Sequence, residues 1–310
     1  MDSITAILQL MNTSGIGAKR LSRLLKRLQN ENYPLEDFVM TSTKELIERY
    51  GFTESMAASL KEVDLELNQL SDKFWEYEIK VITQQDNLYP SVLNKVLGED
   101  APPVLFIKGN LKILENRAVG FCGSRKASEK GCELVRDSAS YLARKGVNIV
   151  SGYAHGVDLA AHIGALSAGG VTTLVLPLGI MNYSLKTSLL ELMSDDNTLI
   201  ISEFSPRLGW AVHNAMQRNH TICGLSRAMV LVDSALKGGT FEAGKAALKL
   251  ERPLFVWEYQ SQPCSEGNEY FLKRGAIALT ENDDLEQNFE KILELISTEN
   301  LRSKQRSLFE

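Results

Sequence analysis

Apolar residues recur with two different periods along this chain, and the period changes near residue 72. Early in the chain, four leucines have the i, i+3, i+4 and i+7 spacing of one buried helical face: Leu21, Leu24, Leu25 and Leu28. The run TKELIERYG predicts a second helix that stops at Gly51, and FTESMAASLKEV predicts a third with Thr53 as its N-cap. This part of the sequence has no strand-like run, so we predict a small all-helical domain over residues 1–72.

From about Lys80 the pattern changes to short β-rich runs that alternate with helical ones. Eight such runs follow one another: KVITQ, VLFIKG, AVGFCGS, VNIVSG, VTTLVLPLG, TLIISEF, AMVLVD and PLFVWE. Alternation of this kind predicts βαβ units and a mostly parallel sheet with helices on both faces. We therefore predict one α/β domain over residues 73–298, followed by a polar tail at residues 299–310.

Composition limits the classes of protein that fit this pattern. Hydrophobic residues make up 44% and charged residues 24% of the chain, which is ordinary for a soluble globular protein. The sequence has neither the ~18 continuous apolar residues of a membrane span nor the basic start of a signal peptide. We therefore expect a cytoplasmic protein with no membrane partner. The net charge of −5 argues against non-specific coating of duplex DNA, so any nucleic-acid site must be local.

The cysteines and histidines form no recognised metal-ligand pattern. The cysteines are widely spaced and include no C-x-x-C pair: Cys122, Cys132, Cys223 and Cys264. The histidines fall in two pairs seven residues apart, and no carboxylate or cysteine completes a ligand set around them: His155 with His162, and His213 with His220. We expect reduced thiols, no metal and no cofactor.

Glycine-containing turns follow several predicted strands, where open α/β sheets gather their ligands. After the strand ending in Phe121 and Cys122, a turn contributes Gly123, Ser124, Arg125 and Lys126 before a helix that starts near Ser128. Free amides, a hydroxyl and a guanidinium at such a turn suit a phosphate. The turn SGYAHGVD, residues 151–158, repeats the layout after the next strand. Two such turns on neighbouring strands would line one groove.

The helical domain contains a second glycine turn, SGIGAKRLSRLLKRL. Gly15 and Gly17 precede a helix whose first positions include Lys19 and Arg20, with no acidic residue among its later cations. This is the layout of a helix-hairpin-helix, where helix amides accept a phosphate, and it predicts a secondary DNA contact. The alternative is that the glycines only turn the chain and the cations only solvate a helix face.

In order and spacing, seven segments resemble the DprA/Smf DNA-processing family over roughly residues 80–280. They are GSRKAS, SGYAHGVDLAAHIGAL, TLVLPLG with Tyr183 after it, LIISEF, QRNHTICGLS, VLVDSALKGGTFEAGKAAL and SEGNEYFLKRGA. The helical domain with its GIG turn is similar to the family's amino-terminal module, of helix-hairpin-helix or SAM-like kind. The resemblance implies a Rossmann-like core that binds single-stranded DNA without catalysis, dimerises, and hands the strand to a RecA-type recombinase.

By matching position, the resemblance implies one DNA-binding groove built from several turns. Its phosphate-binding residues would be Gly123, Ser124, Arg125, Lys126, Ser151, Gly152, His155, Gly156, Lys186, Arg218, Asn219, His220, Gly238, Gly239 and Thr240. The chain departs from the family at two of these positions, where His155 and His220 replace arginines. Imidazoles have a reference pKa of ~6.5, so we expect DNA affinity to be weaker at neutral pH and to rise as the pH falls.

A competing hypothesis comes from Gly238, Gly239, Thr240 and Glu242, which resemble the GGxGTxxE motif of the lonely-guy nucleotide phosphoribohydrolases. There the glycines hold a phosphate and the glutamate takes part in catalysis, so a nucleotide sensor or hydrolase is the alternative function. Ser151, His155 and Asp158 have the residue types of a catalytic triad, but their order and close spacing do not match one. We predict no catalytic site.

Overall fold

A computed structural model describes residues 2–62, 65–258, 264–281 and 285–297 of the chain. Its strands, in chain order, are β1 Lys80–Thr83, β2 Val104–Gly109, β3 Ala118–Gly123, β4 Asn148–Ser151, β5 Thr172–Val175, β6 Thr198–Ser202, β7 Ala228–Val232, β8 Leu254–Glu258 and β9 Ile277–Thr280. All eight strands predicted from the sequence are confirmed, and β9 was missed. The predicted tail at residues 299–310 lies outside the described residues.

Helices occupy the amino-terminal part and the connections between strands. They are α1 Ser3–Asn12, α2 Ala18–Asn30, α3 Leu35–Met40, α4 Thr43–Glu48, α5 Glu54–Lys61, α6 Leu65–Glu76, α7 Ser91–Leu97, α8 Glu129–Arg144, α9 Val157–Ser167, α10 Thr187–Leu190, α11 Val212–Leu225, α12 Gly239–Lys249, α13 Glu266–Leu272 and α14 Leu285–Ser297. Two short 3-10 helices follow α7 and β2, at Gly98–Asp100 and Leu111–Glu115. Among the described helices, none combines the length and the apolar character that a bilayer span needs.

The buried face and the N-caps predicted from the sequence are present in the helices. All four leucines of the predicted stripe on α2 are buried. The Thr53 hydroxyl accepts a hydrogen bond from the Met56 amide at 3.2 Å and so caps α5. Ser128 caps α8 in the same way, by accepting from the Gly131 amide at 3.0 Å. The helical region runs on to Glu76, four residues beyond the predicted boundary at residue 72.

The strands form one mostly parallel sheet with the order β1-β2-β6-β5-β4-β3-β7-β8-β9. Only β1 with β2 and β2 with β6 pair antiparallel among the described strands. From β3 the chain winds outward through β4, β5 and β6, and it then returns to β7 on the other side of β3. The strand order therefore reverses between β3 and β7, which is the topological switch point of a doubly wound sheet.

Helices cover both faces of the sheet, as predicted. On one face, α1 to α6 pack over β2, β5 and β6, with Phe74 against Phe106, while α8, α9 and α14 pack over β3, β4 and β7. On the other face, α7, α11 and α12 bury Leu93, Ile222 and Phe241. Because α11 links β6 to β7, it crosses the sheet and places its side chains beside the switch point.

Candidate phosphate-binding groove at the switch point

A cavity of about 370 Å³ opens at the carboxyl ends of the strands beside the switch point. It is lined by Cys122, Gly123, Ser124, Arg125, Lys126, Ala154, Asp158, Ala215, Arg218, Asn219, Gly239 and Thr240. Eight of the residues expected from the sequence are therefore brought together: Gly123, Ser124, Arg125, Lys126, Arg218, Asn219, Gly239 and Thr240. The cations among the lining residues outnumber the acids three to one, so an anion is the favoured occupant.

Two amides of the turn after β3 already donate hydrogen bonds, one to β7 and one within the turn. A methyl group at Gly123 would lie 2.3 Å from the Val157 side chain and 2.6 Å from the Val232 carbonyl oxygen, so only glycine fits there. The Ser124 amide donates to that carbonyl at 3.1 Å, and the Ser124 hydroxyl accepts from the Lys126 amide at 3.1 Å. The expectation that this turn offers free amides to a phosphate is therefore wrong for two of its amides. The turn contributes two cationic side chains to the cavity lining, those of Arg125 and Lys126.

The free amides are instead at the start of α12. Gly238 has φ +96°, a conformation that favours glycine, and among the described residues no side chain caps this helix. The first intrahelical bond closes from the Glu242 amide to the Gly238 carbonyl at 3.0 Å, so the preceding amides of the first turn have no partner within the helix. Gly239 and Thr240 line the cavity, which puts the positive end of the helix dipole there.

Arg218 and Asn219 form the floor of the cavity and hold its walls together. Both are buried, with 5% and 6% of their surface exposed. The Arg218 Nη1 atom donates to the Val175 carbonyl at 2.7 Å, and the Asn219 amide group donates to the Gly239 carbonyl at 2.9 Å. Arg218 is therefore a fixed charge that needs no rearrangement to meet an anion, while Asn219 fixes the turn before α12.

The turn after β4 supports the groove and offers few contacts to it. Ser151 is fully buried and its hydroxyl donates to the Phe121 carbonyl at 2.7 Å, so it cannot contact a phosphate as expected. A methyl group at Gly152 would lie 1.8 Å from Arg218 Nη1 and 2.3 Å from Asp158 Oδ2. Gly156, at φ +74°, packs against the Ser124 carbonyl. Both glycines allow the side chains and turns of the groove to approach closely.

Asp158 is the acidic residue of the cavity. Its carboxylate is 6% exposed and accepts a hydrogen bond from the Ala154 amide at 3.2 Å. In the sequence it was considered only as a member of a triad with Ser151 and His155. That triad does not form, because the Ser151 hydroxyl is committed to Phe121 and His155 is exposed. The Cys122 thiol of the cavity wall is also a poor nucleophile, because burial raises its pKa well above the usual value.

The buried histidine of this turn is structural. Burial lowers the pKa of His162 to about 4, so its ring is neutral and carries one N–H. The Gly152 carbonyl, 2.7 Å from Nε2, can only accept, so that nitrogen donates to it. Nδ1 lies 2.7 Å from the Thr172 hydroxyl. His162 therefore anchors the Gly152 turn from beneath.

The two histidines expected in the groove do not line the cavity. His155 is exposed on the turn after β4. His220 lies on another face of α11 from Arg218, and its nearest charged neighbours are Lys249, Asp100 and Glu242. Partial burial and the Lys249 ammonium lower the pKa of His220. The expected pH dependence through His220 therefore lacks a geometric basis, because that ring is not among the cavity-lining groups.

Lys186 lies at the edge of the groove and folds back on its own surroundings. Its ammonium donates to the Tyr153 carbonyl at 3.0 Å and lies 4.6 Å from the centroid of the Tyr153 ring. Burial lowers the pKa of Lys186, while Asp158 acts in the opposite direction. Lys186 is therefore near the groove without lining the cavity.

Sequence reasoning missed Trp210, which lies in the loop between β6 and α11. The Arg125 guanidinium lies 5.3 Å from the centroid of the Trp210 ring, and 49% of the tryptophan surface is exposed. Other large apolar side chains are exposed in the same loop and on α11, namely Leu208, Val212 and Met216. The run RLGWAV that contains Trp210 has no strand or helix period, which left it without a signal.

The second glycine turn, in the helical region, leads to a different arrangement. Gly15 has φ +83° and Gly17 is the N-cap of α2. Lys19 forms an ion pair with Asp100 at 2.8 Å, and Arg20 donates to the Gly51 carbonyl and lies 5.4 Å from the Phe52 ring centroid. The cations expected to contact DNA therefore pair with groups of the protein itself.

The glutamate that supports the hydrolase alternative points away from the cavity. Glu242 forms an ion pair with Lys245 at 2.7 Å, and its side chain is 41% exposed. Glu242 is absent from the cavity lining. Within the described residues, no cluster of three or more His, Cys, Asp or Glu side chains is placed to hold a metal ion.

The fold and the groove together define a Rossmann-like protein with a cavity at its topological switch point that is lined by three cations and one acid. A family model described as DNA recombination-mediator protein A matches residues 80–290. The chain belongs to this family.

Individual relatives agree with this assignment. Protein Smf of Escherichia coli is 32% identical over 217 residues, which cover 68% of this chain and 56% of that protein. DNA processing protein DprA of Streptococcus pneumoniae is 30% identical over 230 residues, which cover 73% of this chain and 78% of that protein. The chain thus spans little more than half the length of the E. coli relative.

Two solved structures share the fold. The X-ray structure of S. pneumoniae DprA superposes with a TM-score of 0.74 at 23% identity, and covers 91% of this chain and 97% of that one. A structure of DprA from Helicobacter pylori superposes with a TM-score of 0.58 at 24% identity, and covers 70% of this chain and 97% of that one. The second is described as a study of a single-stranded DNA binding mode.

Proposed function

We propose that this protein binds single-stranded DNA as a recombination mediator and does not alter it chemically. The observation that carries the proposal is the cavity of net positive charge at the switch point, where the start of α12 faces Arg125, Lys126 and Arg218. A backbone phosphate fits this set of amides and cations. Membership of the recombination-mediator family and the DNA-binding study of the H. pylori relative support the same function.

The exposed apolar side chains beside the cavity account for a preference for unpaired strands. Trp210 lies next to Arg125, so a strand whose phosphate contacts the guanidinium brings a base within reach of the indole. Stacking on an aromatic ring needs an unpaired base and contributes about 1–3 kcal/mol per base. A duplex keeps its bases stacked inside and gains only the phosphate contacts.

The proposal that the protein does not alter DNA chemically rests on the surroundings of three side chains. The Ser151 hydroxyl is committed to a carbonyl, burial raises the Cys122 pKa, and Glu242 is paired with Lys245 outside the cavity. We further propose a cytoplasmic homodimer that passes the strand to a RecA-type recombinase, as the family resemblance implies. The amino-terminal helices, which pack against the sheet, would support this core.

The test is a comparison of a fluorescent unpaired oligonucleotide with the same sequence as duplex, by anisotropy at several salt concentrations. We expect the unpaired strand to bind at least tenfold more tightly, with an affinity that falls as salt rises. Mononucleotides and nucleotide riboses are included as competitors. Equal or tighter duplex binding, or release of a free base from a mononucleotide, would contradict the proposal.

A further inference from the structure

A buried carboxylate lies beneath α11, outside the set of cavity-lining residues. Glu203 directly follows β6, and its Oε2 atom accepts a hydrogen bond from the Thr221 hydroxyl of α11 at 2.8 Å. In the part of the chain that the structure describes, no donor reaches its buried Oε1 atom. Ionising a buried carboxylate costs free energy when one of its oxygens accepts no hydrogen bond. Such a group in a native structure therefore calls for an explanation.

The nearest cation to this carboxylate also belongs to the groove. Arg218 lies one turn before Thr221 on α11, and its charge acts on Glu203. One of its guanidinium nitrogens is held by the Val175 carbonyl, and its buried Nε atom has no partner among the described residues. Arg218 also lines the cavity together with Asp158. The charge of one guanidinium therefore acts both on the cavity that it lines and on the Glu203 carboxyl.

The surroundings of Glu203 set its proton affinity. Burial raises the pKa of Glu203 to about 7, while the Thr221 hydrogen bond and the Arg218 charge act in the opposite direction. The other titratable group facing it is Tyr89, before α7, whose hydroxyl donates to the Pro102 carbonyl at 2.7 Å. The Glu203 charge and burial both raise the Tyr89 pKa, so that phenol stays neutral. Glu203 is thus the group of this cluster that exchanges a proton near neutral pH.

We propose that Glu203 is a positioning residue that couples occupancy of the groove by a DNA phosphate to proton uptake beneath α11. The inference rests on the proposed function and adds a mode of regulation to it. A phosphate in the cavity partly neutralises the Arg218 charge and adds negative potential near Glu203. The neutral, protonated form of the Glu203 carboxyl therefore becomes favoured. By linkage, DNA binding that takes up a proton becomes tighter as the pH falls.

The size of the effect follows from the shift in proton affinity on binding. If DNA raises the pKa of Glu203 by about one unit, linkage predicts affinity about fivefold higher at pH 6 than at pH 8. The measurement is anisotropy of a fluorescent unpaired oligonucleotide across this pH range. It is made in a protein in which His155, His213 and His220 are replaced by Gln, so that exposed imidazoles contribute nothing. Calorimetry in buffers of different ionisation enthalpy counts the protons.

Glu203→Gln keeps the size of the side chain and an acceptor for Thr221 but cannot titrate. We expect it to flatten the pH profile and to remove the proton uptake. Glu45→Gln on α4, a glutamate outside the groove, is the matched control and should leave both unchanged. If the protein with these three histidines replaced binds the strand and Glu203→Gln retains the same slope and proton count, the inference is wrong and the proposed function stands.

A second variant separates titration from a purely structural role. Thr221→Val preserves shape and removes the hydrogen bond that favours the ionised carboxylate. We expect the midpoint of the pH profile to move to higher pH, the opposite of a general loss of binding. An unmoved midpoint in a folded Thr221→Val protein would overturn the inference even if Glu203→Gln fails to fold. Absence of strand binding at every pH would instead overturn the proposed function.

Discussion

Two regions of this molecule begin with the same sequence signal, a glycine turn followed by cations, and they use it in opposite ways. On α2 two of the cations pair with acids of the 3-10 helix after α7, Lys19 with Asp100 and Arg23 with Glu99. At the switch point Arg125 and Lys126 face a cavity whose one acidic lining residue is Asp158. The difference teaches that a run of basic residues indicates a nucleic-acid site only when the fold leaves its charges without acidic partners.

The energetic reason is that an anion must compete with whatever already neutralises a cation. On α2 a phosphate would have to displace carboxylates of the 3-10 helix Gly98–Asp100. At the groove it would meet unpaired helix amides and a guanidinium held in place by the Val175 carbonyl. Preorganised donors of this kind need little rearrangement on binding. We therefore propose that the DNA strand lies in the groove, and we expect α2 to contribute mainly to packing.

The largest expected effect comes from removing both exposed cations of the groove. Arg125→Ala with Lys126→Ala should weaken binding of an unpaired oligonucleotide about 100-fold, or about 2.7 kcal/mol. The slope of log affinity against log salt should fall by about 1.4, since each phosphate contact on a single strand contributes roughly 0.7. The measurement is anisotropy over a salt series. Arg144→Ala, at the end of α8, is the matched control, and an equal loss there would mean that the charges act non-specifically.

A pair of glycine substitutions compares the two turns directly. Gly152→Ala would place a methyl group 1.8 Å from Arg218 Nη1, whereas a methyl group at Gly17 meets nothing within 4 Å. We expect Gly152→Ala to lower the free energy of unfolding by about 1–3 kcal/mol through overpacking, and Gly17→Ala to cost less than about 1 kcal/mol. Denaturant unfolding measures both. Equal costs would show that the groove floor is looser than these contacts imply.

Trp210 should contribute much of the preference for unpaired bases. Trp210→Ala should weaken binding of the unpaired strand about fivefold and leave duplex binding within twofold, since only the unpaired strand stacks on the indole. Trp75→Ala on α6 is the control, because that tryptophan is also exposed, at 77%. If Trp210→Ala weakens both forms of DNA equally, the indole contributes general contact and no selectivity.

The smallest effect is expected on α2. Lys19→Ala with Arg20→Ala should change affinity for the unpaired strand by no more than about twofold, because both side chains already have partners in the protein. Their exposed contacts also contribute little to stability. A tenfold loss of affinity in a protein with unchanged thermal stability would restore α2 as a DNA contact.

The sequence predicted the sheet well because its strands are buried on both faces. Runs such as AVGFCGS have no polar interruptions, and this marks central parallel strands. β9 was missed because it lies at the sheet edge, only one of its four residues is buried, and its apolar run AIAL is short. The helical region was predicted from one period, although its end was placed before Glu76.

The groove was predicted less completely, because a turn's sequence does not say which of its groups are already bonded. Ser124 and Ser151 have the residue type of a phosphate ligand. In the fold, however, the Ser124 amide and the Ser151 hydroxyl already donate hydrogen bonds to backbone carbonyls. Trp210 carried no periodic signal, and Glu203 followed a strand as an ordinary polar residue. His220 was assigned by matching position alone, and the helix turns it away from the cavity. Side-chain direction on a helix depends on packing that the motif does not encode.

The central claim is that an unpaired strand lies in the groove at the switch point and not on α2. It is tested most directly by photo-crosslinking an unpaired oligonucleotide that carries 5-iododeoxyuridine, followed by mapping of the crosslinked peptides. The account predicts that the crosslinks fall on Trp210 and its neighbouring loop, and that Trp210→Ala removes them. Crosslinks confined to residues 18–30 of the helical region, with none between β6 and α11, would contradict it.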